Sequence, residues 1–479
     1  MSEQIEQSKE SLQESLQQVI HLLHKHRLVE ELVHKQDMPN QALVESLVHK
    51  QNLAELQKKL DELHPADVAY ILESLPIGER LEVWDLVKAE RDGDILLEVS
   101  DAVRQTLIAD MDSSELLAAA EQLDSDEIAD LAPDLPRDVL QDLLFSLDSK
   151  NRERLQSALS YPEDAVGALM DFDIVTIRED ITLEVVLRYL RRIGKLPDHT
   201  DKLFVVDRDE RVQGVLPLKR LVVHDPEVAV AAVMADDVVV FHPDDEASYA
   251  AQAFERYDLV TAPVVDENNR LIGRLTVDVV MDFIREESES EVLSLAGLRE
   301  EEDIFASVWK SMQNRWTWLA INLITAFIAS RVIGLFEGSI EKVVALAALM
   351  PIVAGVGGNS GNQTTTMIVR GLALGQISEV NMRSLFVKEM GVGALNGLVW
   401  GSILGVVAYL LYHNVALGLV MTGAMTLNLL LAAFMGVWIP FFMNKTGRDP
   451  AVGSSVMITA VTDSGGFFIF LGLATIFLI

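Results

Sequence analysis

Residues Pro351 to Thr366 read PIVAGVGGNSGNQTTT, a run of glycines, amides and hydroxyls inside the uncharged stretch Val343 to Val369. The stretch is long enough to cross about 30 Å of hydrocarbon. Its centre is too polar to face lipid, because a bilayer offers no partner for amide or backbone groups. The expectation is that Pro351 breaks the helix, the glycines expose backbone carbonyls, and Asn359, Asn362 and Gln363 turn their side-chain oxygens into a cavity. A packing seam of small residues needs the glycines, but not two Asn, a Gln and three Thr.

Apolar stretches lie on either side. Trp316 to Leu335 carries one charge near its far end, Met390 to Asn444 contains no Asp, Glu, Lys or Arg and is divided at His413-Asn414, and Val452 to Ile479 gives a fifth. The expected spans are residues 315–336, 341–370, 385–412, 418–443 and 452–478. Lys310, Arg315, Arg370, Arg383, Lys388, Lys445 and Arg448 then fall on one side, which the positive-inside rule makes cytoplasmic. The N-terminal region is expected in the cytosol and the C-terminus outside.

Asp463 is expected to be the only acid well inside any span, within TAVTDSGG (Thr459 to Gly466). A carboxylate there costs about 2.5–3.5 kcal/mol on insertion scales unless it faces water, a cation or a partner. The plainer alternative is a protonated Asp bonded to a neighbouring helix. Together with the carbonyls, amides and hydroxyls of Pro351 to Thr366, it makes a set of hard oxygen ligands; Thr462 joins the expected lining. With no cysteine in the chain and no histidine inside these spans, that set suits Mg2+ better than Zn2+ or Cu+. Mg2+ dehydrates reluctantly, so one carboxylate per chain fits a hydrated ion held through its waters.

From Trp316 onward there are six acids and seven Lys/Arg; the preceding residues hold 67 acids against 32 bases. A region so acidic repels nucleic acid and draws cations. The N-terminus, MSEQIEQSKESLQESL, has no apolar core and gives no cleavable signal. Residues 51–160 read as an acidic helical solenoid of short amphipathic helices punctuated by Pro65, Pro76, Pro133 and Pro136, in which LHPADVAYILESLP (Leu63 to Pro76) and LDSDEIADLAPDLP (Leu123 to Pro136) share a template. Residues 1–50 are a helical extension with the repeats ELVHKQD (Glu31 to Asp37) and SLVHKQN (Ser46 to Asn52); its histidines, His21 and His24 among them, read as a solvated face before a metal site.

Residues 161–226 and 227–285 form two βαβ copies. Phe204-Val-Val-Asp207 matches Pro263-Val-Val-Asp266 at an offset of 59, and Ile174 to Ile177 matches Val238 to Phe241 at 64. This arrangement resembles a tandem pair of CBS domains, whose relatives often bind adenine nucleotides. In those, an Asp commonly stands fourth after the last strand; here the copies read Pro217-Leu-Lys-Arg220 and Thr276-Val-Asp278-Val279, so ATP as a cofactor is left open. Residues 286–314 read as a charged connecting helix, and 315–479 as the five-helix membrane domain.

PIVAGVGGNSGNQ, TDSGG, LHPADVAYILESLP, the paired CBS repeats and five spans, in this order over residues 50–479, resemble the MgtE family of bacterial magnesium channels. The resemblance implies a homodimer in a lipid bilayer importing Mg2+ and closing when cytosolic Mg2+ binds its acidic domains. It implies Asp463 as the pore acid, with Gly358, Gly361 and Thr459 contributing backbone. It also implies regulatory Mg2+ at Asp282, Glu287, Glu291 and Asp449; the acids of the solenoid are not mapped individually, and Val279 and Ser290 stand where the family has acids.

Other classes fare worse. NKTGRD at Asn444 places Asn where a P-type pump needs its phosphorylated Asp, and no phosphate-binding loop is present. An intramembrane aspartyl protease needs two carboxylates. A cation-coupled divalent transporter for Mg2+ or Co2+ and a non-transporting Mg2+ sensor remain as alternatives.

Overall fold

The computed structural model describes residues 12–27, 53–298, 303–377 and 380–479. The repeats at Glu31–Asp37 and Ser46–Asn52 lie outside the described residues. Two compact units form: one comprises the chain to Glu286 with Asp303–Ala306, the other Glu287–Glu302 with Ser307–Ile479.

In the first unit, helix starts fall every 12 residues, at Pro65, Ile77, Ala89 (a 3-10 turn leading into a helix), Asp101, Ser113, Ser125, Arg137 and Ser149. The period is written in the apolar residues two positions before each start: Leu63, Leu75, Val87, Val99, Met111, Leu123, Leu135 and Leu147. Two matching segments 60 residues apart are therefore five helices apart. Asp112 and Asp124 close capping boxes with Glu115 and Glu127, and His64 caps with its ring Nδ1.

In three of the four helix pairs the second helix brings an arginine back over the first. Arg80 donates to the carbonyls of Leu72 and Leu75, Arg104 to Leu96 and Val99, and Arg152 to Leu144 and Leu147. The donors serve carbonyls at helix C-termini, which lack intrahelical partners. At the corresponding place in the third pair stands Ile128. Helix 12–27 joins the solenoid through Arg27, whose guanidinium reaches Glu79 at 2.7 Å and Glu82 at 3.0 Å, while His21 and His24 stay exposed.

The CBS-like pair shows the offsets of the sequence as a pseudo-two-fold. Strands β1 (Thr176–Arg178), β2 (Lys202–Val206) and β3 (Val212–Pro217) form one sheet, and β4 (Thr261–Val265) and β5 (Leu271–Thr276) the other. The counterpart of β1 in the second copy is a single parallel bridge, Phe241 to Val264. The lead-in segments cross over: Asp171 pairs with Arg274 and Ala235 with Val215, Ala165 with Glu246 and Ala229 with Thr182. Arg211 pairs with Arg270 on the axis itself. Each copy completes the other's sheet, so neither is a separate domain.

The connecting segment differs from expectation. Its helix starts inside the second repeat and covers Val277–Ala296, ending at Gly297 with φ +77° instead of running on to residue 314. A methyl on Gly297 would lie 2.0 Å from the Trp318 ring, so both the left-handed backbone and the contact require glycine.

The second unit contains α1 (Val308–Gly334), α2 (Ala345–Ala373), α3 (Met382–Tyr412), α4 (Val415–Lys445) and α5 (Ser454–Leu478). Among the described residues, α1, α3, α4 and α5 are long and apolar enough to cross a membrane. The 29-residue α2 falls short on composition, which reflects its polar centre. It also runs unbroken through Pro351, correcting the expected break: one missing N–H in its second turn is outweighed by packing on α4 and α5. Gly393, Gly397, Gly401 and Gly405 form a buried stripe of α3, where an added methyl would lie 2.3–2.9 Å from the nearest atom of α4. That close approach is how helices associate where apolar burial supplies no drive.

Arg80 is 0% exposed, and its guanidinium meets the Asp303 carboxylate at 2.6 and 3.2 Å. Breaking a buried pair strands the remaining charge. Asp303→Ala is expected to destabilise the first unit by about 3–5 kcal/mol, against less than about 0.5 kcal/mol for Glu184→Ala from the exposed pair with Arg188. Urea unfolding of the two variants measures the contrast; equal midpoints would refute it.

Candidate functional site

Helix geometry sorts the polar stretch of α2 into two faces. Gly357, Gly358, Gly361, Thr364 and Thr365 are buried, whereas Gly355, Asn359, Gln363 and Thr366 are exposed along one side. The buried face packs on neighbours: a methyl on Gly358 would stand 3.6 Å from Thr462 Oγ1, and one on Gly361 2.6 Å from Ile458 of α5. Gly361 thus sets the α2–α5 separation, which is the packing role open to small residues in a span, whereas a methyl at Gly358 would make only an ordinary contact. Asn359 and Gln363 lie on the exposed side of α2, away from its packed face. Asn362 is half-buried, with its Oδ1 unpartnered among the described residues.

On α5, Thr462 is fully buried and returns its hydroxyl to Ile458 O at 2.9 Å, as Thr459 does to Ser455 O at 2.9 Å. Their side chains are thereby committed to their own helix. Asp463, next to Thr462, is half-buried and makes no hydrogen bond or ion pair among the described residues. The structure therefore sets Gly358 opposite Thr462 and Gly361 against Ile458, one turn earlier on α5, with Asp463 the residue that follows Thr462.

Asp463 is not the only acid inside a span. Glu389 lies in α3 with its residue 4% exposed, its Oε2 accepting from Thr364 Oγ1 at 3.4 Å and its Oε1 3.1 Å from Lys388 Nζ. The sequence hides it, because Lys388 precedes it at the edge of the uncharged run, where an acid reads as a surface residue. Burial against α2 shows otherwise.

Of the four expected regulatory acids, Asp282 pairs with Arg285 at 3.4 Å, and burial raises its pKa. Glu291 is raised by burial and then by the charge of Asp449, which places those two acids near each other; Asp449 also accepts from Ala451 N at 2.8 Å. Glu287 lies on the same helix as Asp282 and Glu291. Among the described residues no three acids or histidines are arranged to hold a metal ion.

A denser group of acids is not evident in the sequence. Arg104 stands 3.5 Å from Asp101, 3.6 Å from Asp130 and 3.5 Å from Asp134, one cation among three carboxylates. Glu286 adds a fourth: burial, then Asp130, pushes its pKa up to about 6. Burial likewise raises Asp130 and Asp134 against the pull of Arg104, and raises Asp92 to about 6. The spacing that would have exposed the group is the 24-residue step from Arg80 to Arg104.

Comparison with known proteins follows the same division. A family model described as the MgtE intracellular N domain matches residues 63–164, the CBS domain model matches 166–226 and 230–286, and a divalent cation transporter model named MgtE matches 350–473. The chain is 31% identical over 431 residues to a magnesium transporter MgtE of Thermus thermophilus, covering 88% of this chain and 95% of that one. The chain belongs to the MgtE family. A second MgtE, from Bacillus subtilis, is 26% identical over 426 residues, 89% of this chain and 94% of that one. Among solved structures, the cytosolic domain of the Mg2+ channel MgtE in complex with ATP is 31% identical, covers 50% of this chain and 97% of its own, and has a TM-score of 0.45. As an MgtE-family chain with long apolar helices, this is a membrane protein and not of an enzyme class.

The raised carboxylates of this MgtE-family chain give a pH test with a fixed sign. Glu286 holds its proton to about pH 6 when folded, above the ordinary 4.5, so the folded state binds more protons across that window and stability falls as pH rises through it. In Mg2+-free buffer the thermal midpoint of the first unit is expected to be lower at pH 7.5 than at pH 5. Glu286→Gln should raise it at pH 7.5 and leave it unchanged near pH 4.5; an equal effect at both would show that ionisation is not the cause.

Proposed function

We propose that the chain carries Mg2+ across a membrane into the cytosol, along a path lined by the outward face of α2 and by Asp463 of α5. The observation that carries this reading is the exposed row Gly355, Asn359, Gln363 and Thr366 on a helix whose neighbours are apolar. Hydrocarbon cannot satisfy those amides, so the row needs water, ions or a second protein surface. A second copy of the chain facing the first supplies that surface and encloses a polar path, which supports a homodimer. Hard oxygen donors and one carboxylate per protomer suit an ion that keeps its waters.

Membership of the family supports Mg2+ as cargo, and the acidic group around Arg104 supports control by the same ion. Asp101, Asp130, Asp134 and Glu286 outnumber the two cations that act on them, Arg104 and Arg285, and Mg2+ gathered near them, or near Glu291 and Asp449, relieves that repulsion. High cytosolic Mg2+ then favours the compact, closed arrangement, and low Mg2+ the open one. The positive-inside pattern supports a cytosolic position for these domains, with the C-terminus on the other side. ATP at the CBS pair is a further regulatory ligand of the reading, supported by the kind of paired repeat this is and opposed by the missing ribose-binding Asp.

Divalent-cation flux into proteoliposomes tests the reading. Saturable Mg2+ entry is expected for the wild type, with a loss of tenfold or more for Asp463→Ala. Removal of residues before α1 should leave entry that Mg2+ on the cytosolic side no longer inhibits. Unchanged entry in Asp463→Ala removes that carboxylate from the path, and persistent Mg2+ inhibition after truncation removes the cytosolic domains from gating.

A further inference from the structure

Asn428 of α4 is wholly buried and lies outside the ion path described above. Its Nδ2 donates at 2.9 Å to the carbonyl of Val353 in α2, the oxygen a regular helix offers to the N–H of residue 357. The same amide fills the room left by two glycines from two other helices. A methyl added to Gly357 would lie 2.2 Å from Nδ2, and one added to Gly466 of α5 would lie 2.7 Å from it. Oδ1 sits in the same junction without a partner among the described residues.

A buried amide satisfied on one side only is a poor choice for stability alone, since an apolar side chain of the same shape avoids the desolvation. Its position suggests another use. Gly357 is the residue before Gly358, which faces Thr462, and Gly466 lies one turn beyond Asp463. The three helices that meet at Asn428 therefore include both that carry the ion path, immediately next to the place where they touch.

We propose that Asn428 is the positioning residue of the ion path: its amide clamps α2 against α5 and so fixes how far the Asp463 carboxylate stands from the polar face of α2. This rests on the reading that α2 and α5 carry the ion. A hydrated Mg2+ and a hydrated Ca2+ differ in size and in how readily they lose water, so the clamped distance sets the preference between them. Residues that only fill volume change stability and expression; a clamp on the site changes the ratio of ions carried.

The test measures Mg2+ and Ca2+ entry into proteoliposomes containing the full chain as wild type, Asp463→Ala, Asn428→Ala or Gly466→Ala. The last two disturb the junction from opposite sides, one by removing the amide and one by crowding it. Both are expected to shift the ratio of Ca2+ to Mg2+ entry by threefold or more, with the concentration of cytosolic Mg2+ that closes the path unchanged. A ratio within experimental error of wild type in either variant, with Mg2+ entry still dependent on Asp463, overturns the clamp and leaves the ion path standing. Mg2+ entry indifferent to Asp463→Ala overturns the path, and the clamp with it.

Discussion

A bilayer offers nothing to an amide, and α2 holds Asn359 and Gln363 on its outer side. Much of the membrane unit can be understood as an answer to that constraint. The glycine face of α2 buries itself against α4 and α5, which leaves the amides facing outward. The glycine stripe of α3 and the small residues of α4 let those two helices close tightly. The side bearing the polar row is left exposed, the one face of α2 that hydrocarbon cannot satisfy.

The first unit is governed by the opposite problem, too much charge of one sign. Arginines are committed to helix ends, where Arg80, Arg104 and Arg152 satisfy carbonyls of the preceding helix. Arg104 alone is left to answer Asp101, Asp130 and Asp134, with Glu286 close by. Carboxylates held in partial burial with raised pKa are in the state from which a divalent cation recovers the most electrostatic energy on binding.

The spans were legible because charge is so costly in lipid that its absence over about 20 residues marks a segment built to cross a bilayer. The CBS-like pair was legible through offsets of 59 and 64, which reappear as bridges exchanged across a pseudo-two-fold. The acidic solenoid was legible as helices, but not its 12-residue period, because Leu, Val and Met alternate at the repeating position and hide identity behind shared hydrophobicity. Pro351 misled because local propensity is a weak force against packing on two sides. Glu389 and Asn428 were invisible for another reason: their burial depends on helices far away in sequence, and nothing in their immediate neighbours differs from a surface or a packing residue. Asp463 and the α2 amides stood out because their environment was fixed by the membrane itself.

The ion pair of Arg80 and Asp303 joins residues 223 positions apart, across both CBS-like repeats and the connecting helix. Without that carboxylate the wholly buried guanidinium keeps only the carbonyls of Leu72 and Leu75 as partners, and its charge goes unanswered. The first unit is thus closed by a residue from beyond both repeats, and the solenoid is not complete as a folded body without the segment that leads into α1.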